Sequence, residues 1–455
     1  MSRTGLAGKI TSVLKNENCI SLYSYGVYAF FEAAVIYILA HTYDKEMFGE
    51  WTLFYSINIL LDKLIFGIGS FSLTKFLSES VDSQRKEALI GSSWAINGVI
   101  ILLLSVVSFG ALIFSRLVPA LFSNQGSLVL LFLFFPPLAL LRLPFNQSLA
   151  ILQSRRDFWS ILILRLVGMG VFTLFCTVNL FFRLDLLWIV FAYTMSNVVN
   201  ALLCIIKKWS GIGLIGKRNK ETVSQLLAFG KYSMGTFIGF NILRESAVIL
   251  IAFFMSKEDA ALFVIPLRLI DILYVPLLGF VAVALPRISE AFSKGDNEQV
   301  RMIFCKYTGS LIIAYIPAAV LLYFLACPLI WFFGGSQYST DPRALAIFNI
   351  LLVYSILLPI DSMAGTTLDA INRPKYNFIK VFVMLGINVA GIIAVITLFR
   401  SVIAVPFILI LNLLAGIIIG IYFLKKHIQL IVFNIFGISI DFYKKLFLKI
   451  MGDNI

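Results

Sequence analysis

Residues 260–296 read AALFVIPLRLIDILYVPLLGFVAVALPRISEAFSKGD. From Ala260 to Leu285 the stretch is apolar and long enough for one helix to cross a bilayer, which takes about 20 residues. It carries Arg268 and Asp271 inside it and ends in the Pro286-Arg287 step. An ionisable pair at membrane depth is costly unless it faces protein or water, so this helix should border an interior polar path and not lipid.

The rest of the chain agrees with that reading. Of 455 residues 60% are hydrophobic and 13% charged, against about 25% charged in soluble domains. Too few charges exist to coat a globule of this size. Apolar stretches recur at residues 20–41, 47–72, 88–114, 127–150, 158–182, 185–206, 226–254, 260–285, 306–333, 344–369, 376–399 and 402–424. The expected fold class is therefore all-α, a polytopic membrane protein of about twelve transmembrane helices. The polar N-terminal residues 1–18 lack the features of a cleaved signal, so the first span serves as its own insertion signal. The basic tail, residues 425–455, reads as an amphipathic segment lying in the membrane surface.

The net charge of +13 lies between spans and not in a nucleic-acid-binding patch, so it reads as a topology determinant. Twenty-five Lys and Arg, Lys380 among them, fall in loops on the side of both termini, and six fall on the other side. That imbalance puts both termini in the cytoplasm. Two histidines and five scattered cysteines argue against a metal centre or a His-based triad. No cofactor is expected. Short outer loops argue against an integral-membrane polymerase, which needs room there for catalytic groups.

The chain also repeats itself. Glu32 and Glu245 lie 213 apart, as do Asp44-Lys45-Glu46 and Lys257-Glu258-Asp259. LAILQSRRDFW from Leu149 aligns with LDAINRPKYNF from Leu368 at a spacing of 219. The expected organisation is an N-terminal lobe of six spans (residues 1–206), a basic cytoplasmic linker (207–225), a C-terminal lobe of six spans (226–424) and the tail (425–455). A unit with an even number of spans enters the membrane the same way twice, and a central cavity between two such lobes is the natural place for polar residues.

Six cations fall inside spans: Lys63, Arg142, Arg165, Lys231, Arg244 and Arg268. Facing lipid, each would cost roughly 2.5 to 3.5 kcal/mol. Lys231, near a span end, can snorkel. The others set cations at successive depths, which suits an anionic passenger, and an arginine fork suits a phosphate such as pyrophosphate. Acids in the spans temper this picture. Glu32, Asp62, Glu245, Asp271 and Asp361 are candidates for coupling transport to H+ or Na+, or are structural counter-ions. Arg268 and Asp271, three apart on one helix, can neutralise each other. Asp62-Lys63 and Arg244-Glu245 are sequence neighbours pointing about 100° apart, so their partners lie on other helices.

FGEWTLFYSINILLDKLIFGIGSFSLTKFLSE from Phe48, LPRISEAFSKGD from Leu285, FFGGSQYSTDPRALAIFNILL from Phe332 and LDAINRPKYNFIKVFVMLGINV from Leu368 resemble the polysaccharide-exporting branch of the multidrug/oligosaccharidyl-lipid/polysaccharide exporter superfamily, which includes the O-antigen flippases. The resemblance implies two six-helix lobes exposing a central cationic cavity alternately to either side of a bacterial inner membrane. The implied passenger is an undecaprenyl-pyrophosphate-linked oligosaccharide. The implied pyrophosphate-handling residues are Lys63, Arg165, Arg244 and Arg268, with Arg142 beside them. Its implied partners are the lipid-linked oligosaccharide and membrane lipids, with the protein a monomer beside polysaccharide-assembly proteins. The alternative within the superfamily is a cation-coupled multidrug exporter, whose cavity should be dominated by acids.

Overall fold

The computed structural model describes residues 17–118, 126–228 and 231–429. The expected surface-lying tail falls almost wholly outside these residues. By internal contacts the chain divides into two compact units, Met1–Met234 and Gly235–Ile455. Among the described residues eleven helices are long and apolar enough to cross a membrane, and the first helix adds a shorter apolar stretch, Gly26–Thr42. The protein is a polytopic helical membrane protein.

In the first unit the helices are α1 (Glu17–Thr42), α2 (Lys45–Gly69), α3 (Phe71–Glu79), α4 (Ser83–Leu117), α5 (Gly126–Ser154), α6 (Phe158–Phe182), α7 (Leu186–Ile206) and the short α8 (Lys220–Ala228). α1 lies along α6, α4 along α5, and α7 against both α5 and α6. α4 leaves Leu102, Leu103, Val106, Val107 and Phe109 exposed. Such a face is stable only where the solvent is lipid.

The second unit holds α9 (Lys231–Phe254, its first turn assigned to the first unit), α10 (Lys257–Asp271), α11 (Tyr274–Ser293), α12 (Asn297–Phe324), α13 (Ala326–Gly334), α14 (Ser336–Ser339), α15 (Pro342–Ala370), α16 (Pro374–Phe399) and α17 (Val405–Ile428). α15 is central, packing on α10, α11, α12 and α17. Buried Ala284, Ile288, Phe304, Met363, Leu368 and Leu424 knit four of these helices together.

Aspartates between spans start the helices. Asp44, Asp82, Asp157, Asp185, Asp296 and Asp341 each accept a hydrogen bond from a backbone N–H of the following first turn. A cap of this kind is worth about 1 kcal/mol. The ends repeat as well. The described non-glycine residues with positive φ fall into three pairs, Arg156 with Asn372, Arg183 with Arg400 and Lys208 with Gln429, at spacings of 216, 217 and 221. Each follows a corresponding span, so the two units share turn geometry as well as helix order.

The basic segment after α7 docks on the first unit. Trp94 donates its indole N–H to the Ser210 carbonyl at 2.8 Å, Ser92 and Thr222 share a hydrogen bond at 2.5 Å, and Ser72 donates to the Leu226 carbonyl at 3.0 Å.

Three stretches expected as single spans are broken. The opening stretch parts after Asp271: Ile272 and Leu273 leave the helix, and only α11 is long enough to span. Pro276 has no N–H for the Ile272 carbonyl, but it fits the first turn of a new helix. The Tyr315 hydroxyl donates to the Leu273 carbonyl at the break. The stretch 47–72 breaks at Ser70, where α4 inserts side chains: Ser93 donates to the Gly69 carbonyl at 2.6 Å and Asn97 to Ser70 Oγ at 2.8 Å. A Cβ on Gly69 would lie 1.6 Å from Asn97 Oδ1, so only glycine admits this approach. The stretch 306–333 parts at Leu325.

Candidate functional site

The in-span charges of the first unit gather around α5. Arg142 sits 2.9 Å from Asp62 Oδ2 on α2, and the side chains of both are largely buried, at 14% and 5% exposure. Asn146, one turn further along α5, donates to Asp62 Oδ1 at 2.7 Å. Arg142 also donates to the Tyr193 hydroxyl on α7 at 2.5 Å. Tyr193 in turn packs edge-on against Trp51, Tyr55 and Phe172. Asp62 thus finds its cation on another helix and not at Lys63. Glu32 lies near the hydroxyls of Tyr28 and Tyr55, which hydrogen-bond to each other. Arg165 is elsewhere, donating to Ser24 Oγ on α1 at 2.8 Å. Lys63 is half-buried on α2.

In the second unit, four charges form one network where α10 ends. Arg244 on α9 reaches Asp271 Oδ2 at 2.9 Å, and Arg268 reaches the same oxygen at 3.1 Å. Arg268 also lies 3.6 Å from Glu245 Oε2. The network has a buried half and an open half. Arg268 and Glu245 side chains are 10% and 5% exposed, whereas Arg244 and Asp271 are 37% and 29% exposed. The Arg244 guanidinium lies 5.8 Å from the Tyr274 ring centre, and Phe240 stacks on that ring. The sequence neighbours Arg244 and Glu245 do find separate partners, and Arg268 does contact Asp271 on its own helix.

Asp361 belongs to a third cluster. Lys380 on α16 donates to Asp361 Oδ1 at 2.7 Å and to the Asp361 carbonyl at 3.0 Å. Lys380 is 2% exposed and Asp361 8%. Lys380 therefore is not a loop cation: it sits in the second turn of α16, inside the lobe. One turn away Asn377 donates to Asp369 Oδ2 at 2.8 Å. Gly416 on α17 makes room for the cluster, since a Cβ there would lie 2.5 Å from Asp361 Oδ1 and 2.4 Å from Met384 Sδ. Counting Lys380 with the basic turn, although it lies within the stretch 376–399, missed this lysine. Pro374 at the first helical position was the available signal, because it puts Lys380 well past the helix start.

Aligned on the spacings expected from the sequence, the two units differ in charge. At the 213-residue spacing Glu32 corresponds to Glu245, Tyr55 to Arg268 and Asn58 to Asp271. The tyrosine beside Glu32 thus stands where the second unit has an arginine beside Glu245. At the 219-residue spacing Arg142 corresponds to Asp361, so equivalent places on α5 and α15 carry opposite charges.

Eleven described helices long and apolar enough to cross a membrane, with ion pairs such as Arg142–Asp62 and Lys380–Asp361 held inside them, are those of a polytopic membrane protein. The fold is that of the MOP superfamily. An inward-facing multidrug resistance MATE family transporter of that superfamily superposes with a TM-score of 0.74 at 13% identity, over 88% of this chain and 94% of that one. An outward-facing conformation of a MATE family transporter superposes at 0.65 and 15% identity, over 90% and 94%. A MOP transporter from Pyrococcus furiosus, described as having a binding pocket of reverse polarity that suggests a different function, superposes at 0.63 and 15% identity, over 90% and 94%. A sequence comparison with curated proteins finds no match.

The chain belongs to the polysaccharide biosynthesis protein family, whose model matches residues 81–341. Family and fold are those of a membrane exporter or flippase and not of an enzyme.

Proposed function

We propose that this protein is a flippase that moves an undecaprenyl-pyrophosphate-linked oligosaccharide, an O-antigen or other surface-polysaccharide repeat unit, from the cytoplasmic to the outer leaflet of a bacterial inner membrane by alternating access. One observation carries the passenger assignment: Arg244 and Arg268, on different helices, converge on a single anionic oxygen, at 2.9 and 3.1 Å. Two guanidinium groups aimed at one point are what a diphosphate oxygen needs. Family membership in polysaccharide biosynthesis supports the same reading. Arg142, Arg165 and Lys63 in the first unit are further passenger contacts in this proposal. The coupling ion, H+ or Na+, is taken by one of the carboxylates Glu32, Asp62, Glu245, Asp271 and Asp361. Both termini are cytoplasmic, and the protein works as a monomer beside polysaccharide-assembly proteins.

The test is surface polysaccharide in a strain that depends on this protein. Arg244→Ala and Arg268→Ala, each at wild-type membrane level, are expected to cut polymer export roughly tenfold, the size of a lost charge-assisted contact. Normal polymer with both variants overturns the reading. Resistance to organic cations conferred by the wild type, with polymer unaffected by deletion, establishes the multidrug alternative instead.

A further inference from the structure

The carboxylate on which the two arginines converge sits in an unfavourable place. Asp271 is the last residue of α10, and the C-terminal end of a helix repels negative charge. The dipole of its own helix disfavours it; what holds it are Arg244 on α9 and Arg268 one turn back on α10, both on Oδ2. It is also the acid of the network that solvent reaches, at 29% exposure against 5% for Glu245. Arg268 has a second acid in Glu245, at 3.6 Å.

We propose that Asp271 is a built-in stand-in for the passenger's phosphate. In the empty protein it occupies the point between Arg244 and Arg268 and holds both guanidinium groups in an anion-binding geometry. The arriving diphosphate takes the Asp271 position on Arg244, and Asp271 swings aside at the Ile272–Leu273 break, where the chain leaves α10. Arg268 keeps Glu245 beside it as a second acid and offers the diphosphate the Nη1 side that held Asp271. Departure of the passenger lets Asp271 return, so the carboxylate competes with the passenger and promotes its release. No bond is made or broken; the exchange is of one anion for another on the same donors. Asp271 is thus a specificity and release residue, and it does not itself bind the passenger. It also sets a threshold for charge: a monophosphate competes poorly with a carboxylate already in place, and a diphosphate competes well.

This inference rests on the flippase reading, and the experiment separates the two. The full chain in lipid nanodiscs is titrated with geranylgeranyl pyrophosphate and with geranylgeranyl monophosphate. Asp271→Asn, which keeps shape and removes the charge, is expected to bind the pyrophosphate about tenfold tighter than wild type. The double variant Asp271→Asn/Arg244→Gln is expected to lose that gain. In vesicles, turnover by Asp271→Asn should fall while its KM also falls, because release slows. A residue serving only to hold the fold would lower both affinity and turnover. Asp271→Ser, with the same charge change and a smaller side chain, replaces Asp271→Asn should the latter fold poorly by thermal melting. Unchanged or weaker pyrophosphate binding by the charge-removing variant overturns the stand-in role, even where the wild type binds pyrophosphate. A wild type that ignores both isoprenyl phosphates and takes up organic cations overturns the flippase reading and this inference together.

Discussion

Removing one member of a buried ion pair strands the other. Lys380 and Asp361 meet at 2.7 Å in the interior of the second unit, with 2% and 8% exposure. Lys380→Met leaves an uncompensated carboxylate among apolar side chains and is expected to destabilise the protein by about 3–5 kcal/mol. The double variant Lys380→Met/Asp361→Leu removes both charges and should recover most of that loss. Thermal melting of the purified single and double variants checks this, and equal melting of the two would contradict it. The Arg142–Asp62 pair is built differently, since Asn146 and Tyr193 also bond to it. Each of its members keeps a polar partner when the other is removed. At this scale composition is a poor guide: cations and acids in the spans are nearly balanced, and what distinguishes Arg244 is that its guanidinium is half-exposed beside an acid it shares.

The helices end where backbone chemistry tells them to. Arg183 and Arg400 close α6 and α16 in the left-handed conformation, at φ 45° and 48°. A Cβ is unfavourable there, so Arg183→Gly and Arg400→Gly are each expected to stabilise the protein by about 1 kcal/mol, read as a rise in melting temperature. A fall in melting temperature would show that the side chains hold something the backbone does not reveal. The aspartate caps and the proline at the start of α16 were legible in the linear chain, because a cap acts within one turn. The breaks at Ser70 and at Ile272–Leu273 were not, because what permits them comes from other helices: Ser93 and Asn97 in one case, Tyr315 in the other. A hydropathy pattern has no record of those contacts.

Over the whole molecule, the turns at Arg156 and Asn372 lie at one end of their spans, and those at Arg183 and Arg400 at the other. The first pair is flanked by Arg155, Arg373 and Lys375 and is expected to face the cytoplasm. Moving Lys380 into α16 leaves the loop imbalance large. In a variant lacking native cysteines, a membrane-impermeant thiol reagent applied to intact cells should label Arg183→Cys and Arg400→Cys. Arg156→Cys and Asn372→Cys should react only after permeabilisation. The reverse pattern would invert the topology and with it the direction of export. The class of fold was readable in the linear chain, because a bilayer demands that each crossing segment satisfy its own backbone and be apolar along its length; of about twelve spans expected, eleven described helices are long and apolar enough, and the first helix adds a shorter stretch. Tertiary structure alone decided which charge meets which. That the partner of Asp62 on another helix is Arg142, and that Asp361 meets Lys380, depends on how each helix is rotated and set against its neighbours, a long-range outcome of packing that no local pattern encodes.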